Sequence, residues 1–131
     1  MKKRAFTLFE LLVSISIIAI LIAVASTSYG SAQKKARDAR RAEDLNSIQK
    51  AMEQYYASNT YQYPTDRNSL VPNYIQSLPT DPKGYAYTYG LTLSTYCVGA
   101  GLDTPTGNCT SAACAGFGTT TGAYYCVKNQ Q

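Results

Sequence analysis

The chain has 131 residues, which is the size of one domain rather than two. It contains no histidine, which excludes histidine-dependent nucleophilic catalysis and histidine metal ligands. We also find no other pair of a nucleophile and a base, so we expect no enzymatic activity. The net charge is +4, but acidic residues interrupt the basic ones along the charged middle segment. Nucleic-acid binding, which needs a concentrated positive field, is therefore not expected.

The N-terminal part consists of a short basic lead-in, residues 1–5, followed by an apolar segment from Phe6 to about Tyr29. At ~1.5 Å per residue, this segment is long enough to cross a bilayer. The basic lead-in places its N-terminal end on the cytoplasmic side. Glu10 is the one formal charge in the segment. A carboxylate at this depth indicates a functional role; the alternative is that Glu10 simply reaches water at the interface.

Beyond the apolar segment the sequence turns polar, and no proline occurs before Pro64. Apolar residues recur there every three or four positions, as in an amphipathic helix: Leu45, Ile48, Met52 and Tyr55 or Tyr56. The pattern predicts one continuous helix over about 6–57. Its first half, 6–30, would lie in the membrane or a filament core, and its second half, 31–57, would pack on a domain.

The remaining residues, 58–131, form a polar, tyrosine-rich region with the cysteines. Its prolines predict a connecting loop over 61–82 with a short helical turn near 68–70. The β-forming stretches predict strands over 85–89, 92–98 and 123–128, with a long loop or weak hairpin over 99–122. We therefore predict an α+β fold in which a long N-terminal helix packs against a small antiparallel sheet.

The four cysteines are Cys97, Cys109, Cys114 and Cys126. Zinc is one alternative, but only one short spacing is present where a cysteine-only zinc site usually has two. Unpaired buried thiols are a second alternative. In a chain with a targeting segment, two disulfides are favoured. Because the residues around Cys97 and Cys126 look like facing positions on two strands, we predict the nested pairing Cys97–Cys126 and Cys109–Cys114.

The stretch Lys2–Leu12 resembles the class III signal of type IV prepilins: a short basic leader, a small residue, Phe, and then Thr-Leu-apolar-Glu-Leu. The resemblance implies that prepilin peptidase cuts after Ala5 and that Phe6 becomes N-methylated. After this cleavage the positive charge nearest to Glu10 is the Phe6 amine, its own or a neighbour's. Because an unpaired carboxylate in an apolar core is costly, we predict that Glu10 directs assembly by pairing with the amine of the adjacent subunit. Ala5 stands where the family usually has Gly, and Phe9 stands where an aliphatic residue is commoner.

By this resemblance the chain is a pilin-like structural subunit of a type IV pilus or a similar filament. It would be a single-pass inner-membrane protein before assembly and part of an extracellular filament afterwards. Its partners would be other copies of itself, prepilin peptidase, the pilus assembly machinery and, before assembly, membrane lipid.

A looser resemblance, over 48–56 and 78–84, also extends to the pseudopilins of type II secretion, which remain an alternative. Major pseudopilins bind calcium through acids in a late β loop. Here that loop keeps Asp103 but few other carboxylates, so no cofactor or metal is expected, and calcium is kept as the alternative.

Two further alternatives follow from short motifs. Residues 23–25 match a signal-peptidase site, whose use would release 26–131 as a secreted disulfide-bonded binding module; Glu10 within the apolar segment argues against it. The tyrosines, twelve in all, are expected to pack the sheet on the helix, although a sugar-binding or adhesive surface is an alternative. Asn108-Cys109-Thr110 matches a glycosylation sequon, which is a weak signal in isolation.

Overall fold

The structure is a computed structural model that describes residues 6–114 and 122–130. The chain divides into two compact units, Met1–Gln33 and Lys34–Gln131. Its elements are one long helix, α1 (Leu8–Ser58), a short 3-10 turn (Arg67–Leu70) and three strands, β1 (Thr88–Leu91), β2 (Tyr96–Gly101) and β3 (Tyr124–Lys128). The predicted α+β layout, a long N-terminal helix and a small antiparallel sheet, is confirmed.

Helix α1 ends through local chemistry just after Ser58. Thr60 and Tyr61, which follow Asn59, have positive φ angles of 53° and 56°, a left-handed conformation that cannot continue a right-handed helix. The side-chain amide of Asn59 donates to the Tyr55 carbonyl at 2.8 Å and so satisfies one of the carbonyls left unpaired at the helix end.

The second unit has a hydrophobic core between α1 and the sheet. The helix contributes Leu45, Ile48, Ala51 and Met52, each at most 1% exposed to solvent. The other buried members come from the connecting segment and the sheet: Tyr63, Leu70, Tyr87, Tyr96, Val98, Ala100 and Val127. The three-and-four spacing predicted from the sequence therefore marks the face of α1 that packs on the domain.

The sheet has the order β1-β2-β3, and both pairs are antiparallel. Val98 pairs with Val127, and Gly99 pairs with Cys126. The turn between β1 and β2 is closed by Thr92 and Thr95: the Thr92 backbone N–H donates to the Thr95 carbonyl at 2.9 Å, and the Thr92 hydroxyl donates to it at 2.8 Å. Residues 92–95, predicted to begin a strand, therefore form this turn instead.

Candidate functional site

The first turn of α1 is closed by reciprocal hydrogen bonds between Thr7 and Glu10. The Thr7 backbone N–H and hydroxyl donate to the Glu10 carboxylate at 2.9 and 2.8 Å, and the Glu10 backbone N–H donates to the Thr7 hydroxyl at 3.2 Å. This is a capping box, which satisfies donors that a helix N-terminus otherwise leaves unpaired. Within the described residues Glu10 thus has donors, but it has no ion-pair partner.

Thr7 is a residue that our sequence interpretation did not single out. The signal was present, because Thr followed by Glu three positions later, just before an apolar run, is the sequence form of a capping box. Phe6, the predicted new N-terminus, is 82% exposed. Ala5 and the predicted leader 1–5 lie outside the described residues. Cleavage, N-methylation and the assembly role of Glu10 stay predictions.

The apolar part of α1 is long and apolar enough to span a membrane. None of the most apolar stretch is buried within the protein, and its large side chains, from Leu8 to Val24, are exposed. Such a surface is far larger than the apolar patches that a soluble monomer tolerates, so it needs lipid or neighbouring helices. This segment fits a membrane-anchored precursor.

The four cysteines form two disulfides, Cys97–Cys114 and Cys109–Cys126, so the predicted nested pairing is wrong. The strand register explains the error. Cys97 lies opposite Lys128, whereas Cys126 lies opposite Gly99, two residues along β2. Cys97 and Cys126 are therefore diagonal neighbours rather than directly opposed positions.

The segment between Cys109 and Cys114 crosses the sheet at Gly99. A Cβ atom on Gly99 would overlap the backbone of Ala112, so only glycine leaves room for this crossing. One end of the segment then reaches Cys126 and the other reaches Cys97. Two interlocked bridges thus fasten this segment over one face of the sheet.

A buried cluster of charges centres on Arg41, whose side chain is 1% exposed. The guanidinium donates to Asp81 at 2.5 Å and to Asp38 at 2.8 Å. Asp38 also accepts from the Asp103 backbone N–H at 2.8 Å and the Thr104 backbone N–H at 2.9 Å. The cluster therefore fastens two separate loops, around 81 and around 103, to α1.

Asp103 lies at the outer side of this cluster and is the acid of the late β loop in which pseudopilins bind calcium. Its carboxylate makes ion pairs with Arg37 at 2.6 Å, with Lys83 at 2.9 Å and with Arg41 at 3.5 Å. These cations lower the pKa of Asp103, chiefly through the Lys83 hydrogen bond. Side-chain cations therefore already compensate this carboxylate.

Hydrogen bonding controls the ionisation of both buried aspartates. Burial by itself would raise the pKa of Asp81, but the hydrogen bonds from Arg41 and from the Lys83 backbone outweigh it and lower the pKa. Burial likewise opposes ionisation of Asp38, and the donors from Thr104, Asp103 and Arg41 lower its pKa. Both groups are therefore held as carboxylates.

Asp81 also closes a turn at the Asp81-Pro82 step. Its carboxylate accepts the Lys83 backbone N–H at 2.7 Å, and its carbonyl accepts the Gly84 N–H at 2.9 Å, while Gly84 has a φ of +78°. The connection to Arg41 was not predicted, because residues forty positions apart carry no local signal of contact.

Several tyrosines donate hydrogen bonds to acids on α1. Tyr63 and Tyr96 both donate to Glu53, at 3.1 and 3.0 Å, and Tyr87 donates to Asp44 at 2.6 Å. Burial, together with the Glu53 carboxylate, raises the pKa of Tyr63 to about 12. These three tyrosines tie the sheet and its connecting loop to the helix, as expected from the sequence, whereas Tyr61 and Tyr85 are exposed.

The sequon residue Asn108 has a structural role. Its side-chain amide donates to the Cys126 carbonyl at 2.9 Å and accepts the Cys126 backbone N–H at 2.7 Å, and so acts like a paired strand residue. Both polar atoms of the amide are thus engaged with β3, and the neighbouring Cys109 is held in a disulfide. This arrangement argues against Asn108 as a glycan acceptor.

Comparison with known proteins identifies the N-terminal segment. Residues 1–26 match the family model for the prokaryotic N-terminal methylation motif. Searches of curated proteins and of solved structures gave no match. The matched segment contains the predicted cut site, the Thr7–Glu10 capping box and most of the exposed apolar helix. Residues 1–26 therefore carry the prokaryotic N-terminal methylation motif, which supports a class III prepilin signal of the kind found in type IV pilin-like proteins.

Proposed function

We propose that the chain is the structural subunit of a type IV pilus or pilus-like filament. Prepilin peptidase cuts it after Ala5, Phe6 becomes N-methylated, and subunits leave the inner membrane to assemble through α1 into an extracellular homopolymer. The role is structural, without an enzymatic step or a cofactor. The observation that carries the proposal is the exposed apolar helix, with a single acid one turn from the predicted new N-terminus.

The capping box refines the part that Glu10 plays in assembly. Thr7 supplies hydrogen bonds to the carboxylate but does not neutralise its charge. Cleavage after Ala5 creates an amine at Phe6, and packing of apolar helices removes water from around both groups. A charge without a partner is costly in such a core, whereas a paired one is tolerated. Pairing with the Phe6 amine of an adjacent subunit therefore fixes the axial step between the two subunits, which apolar contacts alone would leave undetermined.

The two disulfides favour a pilus subunit over a pseudopilin, because pilins, which this chain resembles, often close the C-terminal region with a disulfide. The pseudopilin alternative predicts a different cellular result. Loss of the chain would abolish secretion of other proteins, and no long filament would be recovered from the cell surface. Loss of sheared surface filaments with normal secretion supports the pilus subunit.

Substitution of Glu10 by glutamine separates the charge from the helix cap. Glutamine also completes a capping box, so Glu10→Gln keeps the cap but removes the charge. We expect this variant to insert in the membrane and close its disulfides, while filament yield falls by more than tenfold and monomer accumulates. Thr7→Val, which removes the hydroxyl and keeps the charge, is the matched control and should retain most assembly. Wild-type filament yield from Glu10→Gln would refute the pairing.

A further inference from the structure

Basic residues outnumber acidic ones in the short stretch of α1 that follows its apolar part, before Glu43 and Asp44. Residues 31–42 contain five basic side chains and one acidic one, a net charge of +4 (5 − 1). The six residues are Lys34, Lys35, Arg37, Asp38, Arg40 and Arg41. So high a charge density on one stretch of helix is self-repulsive unless partners of opposite sign compensate it.

The domain compensates only part of this charge. Arg41 and Arg37 are held in ion pairs with Asp81 and Asp103, and Asp38 is occupied by Arg41 and by the loop at 103–104. The three remaining cations, Lys34, Lys35 and Arg40, are exposed, and no acid of the described chain forms an ion pair with them. Three positive charges therefore remain available to an outside partner.

The positions of these three side chains on the helix indicate what kind of partner they suit. At 3.6 residues per turn, Lys35 lies about 100° around α1 from Lys34, and Arg40 lies about 240° around. Together they encircle the helix within about 9 Å along its axis. A protein partner would contact one face of a helix. A layer of lipid headgroups is roughly 5–8 Å deep and contacts a helix on every open side. Here those are all sides except the one that the loops around 81 and 103 cover at Asp38 and Arg41.

The chain also holds these residues close to the bilayer. Lys34 follows Tyr29, the predicted end of the apolar segment, by five residues, and Arg40 follows it by eleven. These residues rise about 8 Å and about 17 Å along a helix. Long Lys and Arg side chains extend further toward a headgroup layer while their stems stay on apolar surface. Anionic headgroups attract basic residues within about a Debye length, ~10 Å.

We propose that Lys34, Lys35 and Arg40 form a basic collar that binds anionic phospholipid headgroups at the extracytoplasmic face of the membrane. The proposal rests on the membrane-anchored precursor of the proposed function. The collar holds the subunit at a fixed depth before assembly, and its lipid contacts are exchanged for subunit contacts when the subunit leaves the bilayer.

Amine labelling of the full chain tests the collar. The protein is reconstituted in vesicles of phosphatidylcholine alone or with one third phosphatidylglycerol, and acylation of each lysine is followed by peptide mass spectrometry. We expect anionic lipid to slow labelling of Lys34 and Lys35 by about threefold or more, and high salt to reverse the effect. Lys50, an exposed lysine further along α1, is the internal control and should label equally in both vesicles.

A triple variant then tests lipid retention. The full chain purified in mild detergent should keep phosphatidylglycerol bound, as measured by native mass spectrometry, and Lys34→Gln/Lys35→Gln/Arg40→Gln should lose it, whereas Lys50→Gln should not. Equal labelling in the two vesicles, or equal lipid retention by the triple variant, overturns the collar. If acylation of Lys34 and Lys35 in pure phosphatidylcholine slows as the protein density in the vesicles rises, a second copy of the chain covers these lysines. That result also overturns the collar. Failure to insert in either vesicle refutes the membrane-anchored precursor itself.

Discussion

Replacement of Arg41 by methionine removes the centre of the buried charge cluster and keeps most of the length of its side chain. Asp38 and Asp81 would then stay buried with their charges uncompensated, since each is less than 10% exposed. Removal of one partner from a buried ion pair costs about 3–5 kcal/mol, because the other charge stays in a place that water cannot reach. We therefore expect a large loss of stability.

The size of the folded unit converts this loss into a melting shift. The unit Lys34–Gln131 has 98 residues (131 − 33). For a domain of this size, each kcal/mol moves the Tm by about 4–8 °C, so Arg41→Met should lower the Tm by at least about 12 °C. The assay is thermal unfolding of the oxidised full chain in detergent, followed by near-UV circular dichroism of its tyrosines.

Arg37→Met is the matched control, because Arg37 lies at the outer side of the same cluster. Its side chain is 23% exposed, and Asp103 would keep Lys83 and Arg41 as partners. A partly exposed pair contributes little to stability, so this variant should melt close to the wild type. Equal shifts for the two variants would refute our assignment of the buried cluster as the main fastening of the loops.

The pH dependence gives a second check on the same variant. The pKa values of Asp38 and Asp81 lie below their ordinary value of 3.8 in the folded chain. The stabilisation is therefore complete above pH 3.8 and is lost as the pH falls through the lower folded values. The difference in Tm between wild type and Arg41→Met should be largest near neutral pH and should shrink below pH 3.8. A constant difference would contradict the electrostatic explanation.

Two further predictions test the sheet region. Gly99→Ala should block the crossing segment and leave the thiol of Cys114 reactive in a thiol titration. The control is Gly90→Ala, whose added Cβ atom makes only ordinary contacts, and it should leave all four cysteines oxidised. Full oxidation of both variants would contradict the crossing geometry. Because the pKa of Tyr63 is raised from 10.0 to about 12, its hydroxyl stabilises the fold below pH 10, and this contribution is lost as the pH rises toward 12. As the pH rises from 10 to 12, the free energy of unfolding, measured in urea, should therefore fall less for Tyr63→Phe than for the wild type. Equal decreases would show that the hydroxyl does not contribute.

Much of the fold was predictable because its signals are local. Neither proline nor a second glycine interrupts the helix predicted over 6–57, and the structure has it at Leu8–Ser58. The short turn predicted near 68–70 is the 3-10 helix Arg67–Leu70, which the Asp66 side chain caps. Capping residues and hydrophobic periodicity act within one or two turns, so a sequence displays them directly.

The strand limits and the disulfide pairing were not predictable in the same way. The predicted second strand began at Thr92, but the structure begins β2 at Tyr96 and extends it to Gly101. Glycines have low strand propensity, and Gly99 is needed in β2 only because another segment crosses it. That crossing, like the register that puts Cys97 opposite Lys128, depends on residues far apart in the chain.

The candidate site was predictable to a similar extent. Glu10 and the apolar segment stood out in the sequence because a charge within such a segment is unusual, and the family model matches the same region. The interactions of Glu10 with Thr7 required only the rule for capping boxes. The Arg41 cluster, in contrast, joins Asp38 on α1 with Asp81 and Asp103, which lie in two separate loops. The positions of these charges follow no pattern along the sequence, so only the folded chain brings them together.

The central claim, that the chain is processed at the prepilin signal into a filament subunit, is tested most directly by intact-mass and N-terminal analysis of subunits from sheared surface filaments. We predict a chain of 126 residues (131 − 5) that begins at Phe6, carries one additional methyl group on its amine and contains two disulfides. A filament subunit that retains Met1, or a released protein that begins at Ser26, would contradict it.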